Sequence, residues 1–323
     1  MVESVLADVQ LDDADWVRET GCRDQHLRDG GIVAQGVIDL HVHLPLPGFW
    51  REGQIALARD LSPDIFHERH RFADPSYLVH YFEDQRVDYA VVMAEESPKV
   101  TGLIGNDFVL DYCSRSAGRL LMFMALDPLP SPKALPELER MASAEVVVGI
   151  KLLPSYQHFR PDDPALFPVY ERAQELGLAI TFHTGSSIFP GTREELADPR
   201  LLEPVVAAFP QLRILMAHGG RRFWYREAEE MVMRHPNVYL EISGLPPQRL
   251  PVYFPHLHEL TDKVIFGSDF PMVPSISRNV EAVCSLFGRA GARRVLWENA
   301  VGLLKDRLPT EVLMDTTRPP SPS

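Results

Sequence analysis

Residues 37–43 read VIDLHVH, an apolar run that closes on two histidines, His41 and His43. A short run rich in Val, Ile and Leu is the signature of a strand buried on both faces, as in a parallel sheet wrapped by helices. Four later segments repeat the pattern in a set order: GIKLLP with Lys151, AITFHTG with His183, ILMAHGG with His218 and VIFGSDFP with Asp269. Each is followed by a break or a helical pattern. Chemistry-bearing side chains at the carboxyl ends of such strands stand where α/β barrels carry their active sites.

Working outward, VDYAVVMAE, RLLMFMALDP and NVYLEISG read as three more strands, the second, third and seventh. Helical patterns lie between strands, among them SYLVHYFEDQ, PKALPELERMA and DPALFPVYERAQELG, the last with Asp163 as N-cap and Gly177 at its end. Eight strands alternating with helices fit an α/β fold, a closed (β/α)8 TIM barrel forming a single domain over residues 37–308. An open doubly wound sheet would carry a Gly-rich phosphate fingerprint after its first strand, and none follows here. Residues 1–36 form a polar, acidic N-terminal extension. Residues 44–75, rich in Pro, Gly and aromatic side chains, form a long lid insertion after the first strand, placed to overhang the site. The tail 309–323 holds four prolines and is expected to be disordered.

A net charge of -13 repels phosphate backbones and argues against a nucleic-acid partner. No apolar run reaches membrane-spanning length. The N-terminus lacks the basic and apolar regions of a signal peptide. Cys22, Cys113 and Cys284 are far apart and form no C-x-x-C pair, which points to reduced thiols in a cytoplasmic protein.

His41 and His43 are two apart on a strand and share a face. Burying two imidazoles there is costly without a partner, and a metal ion is the simplest one. His183 ends the fifth strand and Asp269 the eighth. The eighth strand neighbours the first when the barrel closes, and the fifth lies across it. Three imidazoles and one carboxylate thus converge on one point and leave an open position for water. That set suits one Zn2+ per chain, with Mn2+ or Fe2+ as alternatives. Asp269 doubles as a catalytic residue. His218, ending the sixth strand, is placed for acid–base or carbonyl-polarising work. Arg221 and Arg222 follow it closely. In the lid, Arg51, Arg59, Arg69 and Arg71 are each candidates to grip an acidic substrate. Trp224 and Tyr225 read as substrate wall or helix core, with core the preferred reading.

Taken together, VIDLHVH, GIKLLP, FHTG, AHGG, NVYLEISG, FGSDFP and the later WENAVGLL resemble the amidohydrolase superfamily over about Val37 to Leu304. The closer resemblance is to its amidohydrolase-related group, which includes aminocarboxymuconate-semialdehyde and resorcylate-type decarboxylases. The resemblance implies that His41, His43, His183 and Asp269 hold one divalent metal and that His218 lies near a small-molecule substrate. It also implies a homodimer. In binuclear relatives a lysine placed like Lys151 is carboxylated and bridges two metals; in the decarboxylase-like group it instead pairs with a substrate carboxylate or a structural acid. Lys151 and Arg221 are accordingly the substrate-binding candidates.

Two chemistries share these ligands. The first is hydrolysis of an amide, ester or lactone in a carboxylate-bearing substrate: metal-activated water attacks, Asp269 moves the proton and His218 stabilises the oxyanion. The alternative is non-oxidative decarboxylation, with Asp269 or His218 protonating the carbon that loses CO2. A third reading, a barrel that binds metal without chemistry, is opposed by the pairing of His218 with a proton-accepting Asp269.

Overall fold

The computed structural model describes residues 36–46, 48–127, 133–273 and 275–315. Eight strands form one parallel sheet: β1 (Ile38–Val42), β2 (Tyr89–Met93), β5 (Leu120–Ala125), β6 (Val147–Leu152), β7 (Ala179–Gly185), β8 (Ile214–Arg221), β9 (Val238–Glu241) and β10 (Val264–Ile265), adjacent in that order. The circle closes irregularly, because β10 is only two residues long. Closure rests on a parallel bridge between Val42 and Phe270 and on bonds from Leu40 N to Phe266 O (3.2 Å), His43 N to Phe270 O (2.8 Å) and Asp269 N to His41 O (3.0 Å). This is the expected (β/α)8 barrel.

The strands form where β-branched and large apolar side chains run together, and both of their faces are covered. On β7, Ile180 and Phe182 join the main apolar cluster, while Thr181 and His183 alternate with them as buried polar groups. Register then assembles the polar face across strands. Lys151 lies opposite Thr181, and Ala217 opposite Glu241. A second apolar cluster packs Ile38, Leu40, Phe123 and Leu215 with Trp297, Leu303 and Leu304.

Three features add to the sequence reading. The lid at 44–75 is mostly helical, with helices Glu52–Leu61 and Pro63–His67 and a 3-10 turn Arg69–Ala73. The sequence hides this because its helices are short; Gln54 and Ala58 bury one face of the first, and Pro63 opens the second at a position where no N–H is needed. A small antiparallel hairpin, β3 (Glu95–Ser97) with β4 (Gly102–Ile104), was not foreseen. It carries the lid: Trp50 bridges Gly102, Arg51 N donates to Thr101 O (3.0 Å) and Gln54 Nε2 to Val100 O (2.5 Å). Last, the tail begins with a helix, Thr310–Asp315, in which Val312 is buried; residues 316–323 lie outside the described residues, as does the extension up to residue 35. Asp163 and Gly177 act as expected, Asp163 capping Pro164–Leu166 and Gly177 turning at φ 67°. Cys113 and Cys284 are buried; Cys22 lies outside the described residues.

Gly185 ends β7 at φ +92°, and a Cβ there would stand 2.2 Å from Arg221 N and 2.5 Å from Gly220 C. Both obstacles are backbone of β8 and cannot swing away. Gly185→Ala is therefore expected to cost about 1–3 kcal/mol from backbone conformation alone, and more from the clash, measured as a lowered urea midpoint. A wild-type midpoint would refute this account of the β7–β8 ends.

Candidate active site

His41 is wholly buried on β1, and its Nδ1 lies 2.6 Å from Glu241 Oε1 at the end of β9. That bond turns Nε2 towards Asp269 Oδ1 (3.6 Å) and His43 Nε2 (3.2 Å). His43 Nε2 is 3.8 Å from the same Asp269 oxygen. One ligand atom each from His41, His43 and Asp269 lie within 4.8 Å of one another. Ligands about 2.0–2.1 Å from a tetrahedral ion are about 3.4 Å apart, so these separations suit a divalent cation. The carboxylate behind His41 fits as well, since it fixes the tautomer that leaves Nε2 as the donor atom.

His183 stands outside this group of three. Its ring lies 4.8 Å from that of His218, and its Nε2 is buried without a hydrogen-bond partner. His43 Nδ1 is likewise orphaned. Unpaired buried nitrogens of this kind point to a missing partner.

Burial, reinforced by Lys151, holds His43 down to about 3, and it holds His41, His183 and His218 well below the usual imidazole range, with Arg221 and Lys151 adding to the effect. The imidazoles are thus neutral, the form that binds metal. Burial pushes the Asp269 carboxyl up, against the opposing pull of Arg221 and Lys151. Asp269 and His218 both sit at left-handed φ, 66° and 64°. The chain turns sharply there, and such strain gathers at functional sites.

His218 Nδ1 lies 2.9 Å from Ser243 O and 3.1 Å from Ser243 Oγ. A carbonyl only accepts, so the proton is assigned to Nδ1 and the neutral ring offers Nε2 as an acceptor. That suits a base or hydrogen-bond acceptor, not an oxyanion donor.

Lys151 is 1% exposed, with Nζ 3.3 Å from His41 Nε2. Burial lowers its pKa, opposed by Glu241, Asp269 and Glu95. Arg221 reaches Asp269 Oδ2 through Nη1 (3.7 Å) and donates through Nη2 to Ser186 O (3.0 Å). All seven expected site residues border one cavity of about 610 Å³. The lid arginines do not: among the described residues, the arginines lining it are Arg221, Arg222 and Arg249. Arg51 donates to the Pro98 carbonyl and Arg71 pairs with Glu68 (2.8 Å). Tyr225 also lines the cavity, stacked on Tyr253 at 4.3 Å, so it is wall and not only helix core.

Among the buried polar residues that escaped the sequence reading are Asp39, Glu95, Glu241 and Ser243. Asp39 Oδ1 accepts from His41 N (3.0 Å) and Ser268 N (2.8 Å), tying β1 to the turn that carries Asp269. The available signal was a carboxylate inside or ending an apolar strand, as in VIDL, VYLEI and VVMAE. Burial pushes the Glu95 carboxyl up to about 7.

Comparison with known proteins agrees with the barrel fold. A dihydroorotase of Azoarcus sp. (strain BH72) is 27% identical over 147 residues, 42% of this chain and 42% of that protein, so the match spans less than half of that relative's length. Among solved structures, an uncharacterised TIM-barrel protein from Bordetella bronchiseptica has a TM-score of 0.70 at 20% identity, covering 84% of this chain and 99% of the other. A dihydroxybenzoic acid decarboxylase from Polaromonas sp. JS666, with bound manganese and the inhibitor 2-nitroresorcinol, has a TM-score of 0.62 at 20% identity over 84% of this chain and 97% of that one. Identities this low carry the fold alone. No helix among the described residues is long and apolar enough to cross a membrane. The amidohydrolase family pattern matches residues 38–305, from the first barrel strand to the last barrel helix, and the chain is an enzyme of the amidohydrolase family.

Proposed function

We propose that this enzyme is a metal-dependent, non-oxidative decarboxylase of a small acid with an aromatic or conjugated skeleton. The carrying observation is the chemistry of the cavity. Phe49, Trp50, Tyr156 and Phe189 wall it, while the cations Lys151 and Arg221 stand beside Asp269. A flat apolar body with one carboxylate matches that division. The structural likeness to a dihydroxybenzoic acid decarboxylase supports the same choice. Hydrolysis, the first reading of the sequence, gave oxyanion stabilisation to His218, whose Nδ1 proton is committed to Ser243 O.

A divalent ion held by His41, His43, Asp269 and His183 would supply a Lewis acid that binds and orients substrate oxygens. The buried, unpaired Nε2 of His183 supports its place in that set. Lys151 and Arg221 bind the substrate carboxylate, Arg221 with its planar fork. His218 Nε2 accepts a hydrogen bond from a substrate hydroxyl. Asp269 carries the acid proton on Oδ2, the carboxylate oxygen turned towards His218 and Arg221, while Oδ1 faces His41 and His43. The bond from the ring carbon to the carboxylate breaks, its electron pair takes the Asp269 proton, and CO2 leaves. Solvent then returns a proton to Asp269.

The test is a panel of hydroxybenzoates and conjugated acids with Zn2+- or Mn2+-loaded protein. CO2 release is expected, with one deuterium on the product carbon in D2O and loss of turnover after chelation. Turnover of amides or lactones without CO2 would overturn the proposal. The similarity to a dihydroorotase is the observation favouring that outcome.

A further inference from the structure

We propose that Glu95 is a positioning residue for His43, orienting its imidazole for metal binding as Glu241 orients His41. The inference rests on reading His43 as a metal ligand. The two histidines share one face of β1 and approach one oxygen of Asp269 at 3.6 and 3.8 Å. Only His41 has its distal nitrogen secured, by Glu241 Oε1 at 2.6 Å. His43 Nδ1 is buried without a hydrogen-bond partner, and Glu95 Oε2 stands 3.6 Å from it.

An N–H buried without an acceptor costs about 1–3 kcal/mol. A small rotation of either side chain closes the gap and removes that cost. Once Nδ1 donates to Glu95, Nε2 is left as the lone-pair nitrogen facing Asp269, which is the tautomer that binding needs. Glu95 is built to stay in place. It is 7% exposed on β3, and its other oxygen accepts from Ser97 Oγ (2.7 Å) and from the Thr101 hydroxyl. Thr101 lies in the hairpin that also holds Arg51 and Trp50 of the lid. One carboxylate therefore joins His43 to the segment that roofs the cavity.

Glu95→Gln separates this role from others. The Gln oxygen can accept from His43 while its NH2 donates to the Ser97 and Thr101 hydroxyls, but a neutral amide holds the imidazole N–H more weakly than a carboxylate does. Glu95→Gln is expected to weaken Zn2+ affinity about 10–100-fold, measured by competition with a chromophoric chelator, and to shift the visible absorption of the Co2+-loaded protein. Thr101→Val, which frees the carboxylate on one side, is expected to weaken Zn2+ by a smaller factor. Glu95 acting only on substrate would lower kcat and leave both metal readouts unchanged; that result overturns the proposal. Should the Gln variant fail to fold, Glu95→Asp serves, and unchanged affinity there is equally fatal. A wild-type chain that binds no Zn2+, Mn2+ or Co2+ would sink the metal site itself and this inference with it. None of these readouts depends on which acid is decarboxylated, so an error in the proposed reaction leaves them standing.

Discussion

Asp269→Asn is expected to lower kcat for CO2 release by about 10²–10⁴-fold, the usual contribution of a positioned acid or base. Asn keeps the size of the side chain but cannot carry the proton that replaces CO2, and it is a weaker ligand for a cation. Asp269 is the group on which the site converges: His41, His43, His218 and Arg221 all lie within 3.9 Å of its oxygens. Its backbone N–H is bonded to His41 O at 3.0 Å, so the turn is held independently of the carboxylate. The urea midpoint should therefore move far less than the rate. Parallel steady-state and metal-content measurements decide the matter. Residual activity within tenfold of wild type would remove Asp269 from the chemistry.

Glu241→Ala is expected to have the largest effect on stability, about 3–5 kcal/mol, the range for breaking a buried charge pair by removing one partner. Glu241 is fully buried and accepts from His41 Nδ1 (2.6 Å) and Thr181 Oγ1 (3.1 Å). Burial raises its pKa and lowers that of Lys151, while each group opposes the shift in the other. Ala would leave the Lys151 ammonium, the His41 N–H and a small void together in the interior. Urea unfolding of chelated protein measures the loss without metal binding in the balance. A loss below about 1 kcal/mol would place Glu241 among groups whose pairing contributes little. Metal affinity should fall as well, because the His41 tautomer is no longer held.

These two residues also mark the difference between what was legible in the chain and what was not. Asp269 declares itself, because a carboxylate closing VIFGSD has no local reason to be there. Glu241 lies in VYLEI, where a single acid is as easily an exposed strand residue. Its meaning comes from register, since parallel pairing carries β9 alongside β8 and turns Glu241 towards His41, 200 positions away. Glu95 is hidden for the same reason, two strands from His43 and on a hairpin of three-residue strands too short to show a period. The lid helices were missed because helices of ten and five residues between prolines leave too little repeat to read.

Strand order, barrel class and the gathering of histidines with Asp269 follow from local patterning. Apolar runs must be buried, and ligand-type side chains at their ends must then meet at one rim. Which nitrogen of each imidazole is free, which carboxylate stands behind it, and which arginines reach the cavity are properties of separation in space. Hydrogen bonds and desolvation act over a few ångströms between residues up to 229 positions apart, and only the folded chain decides which of them come that close.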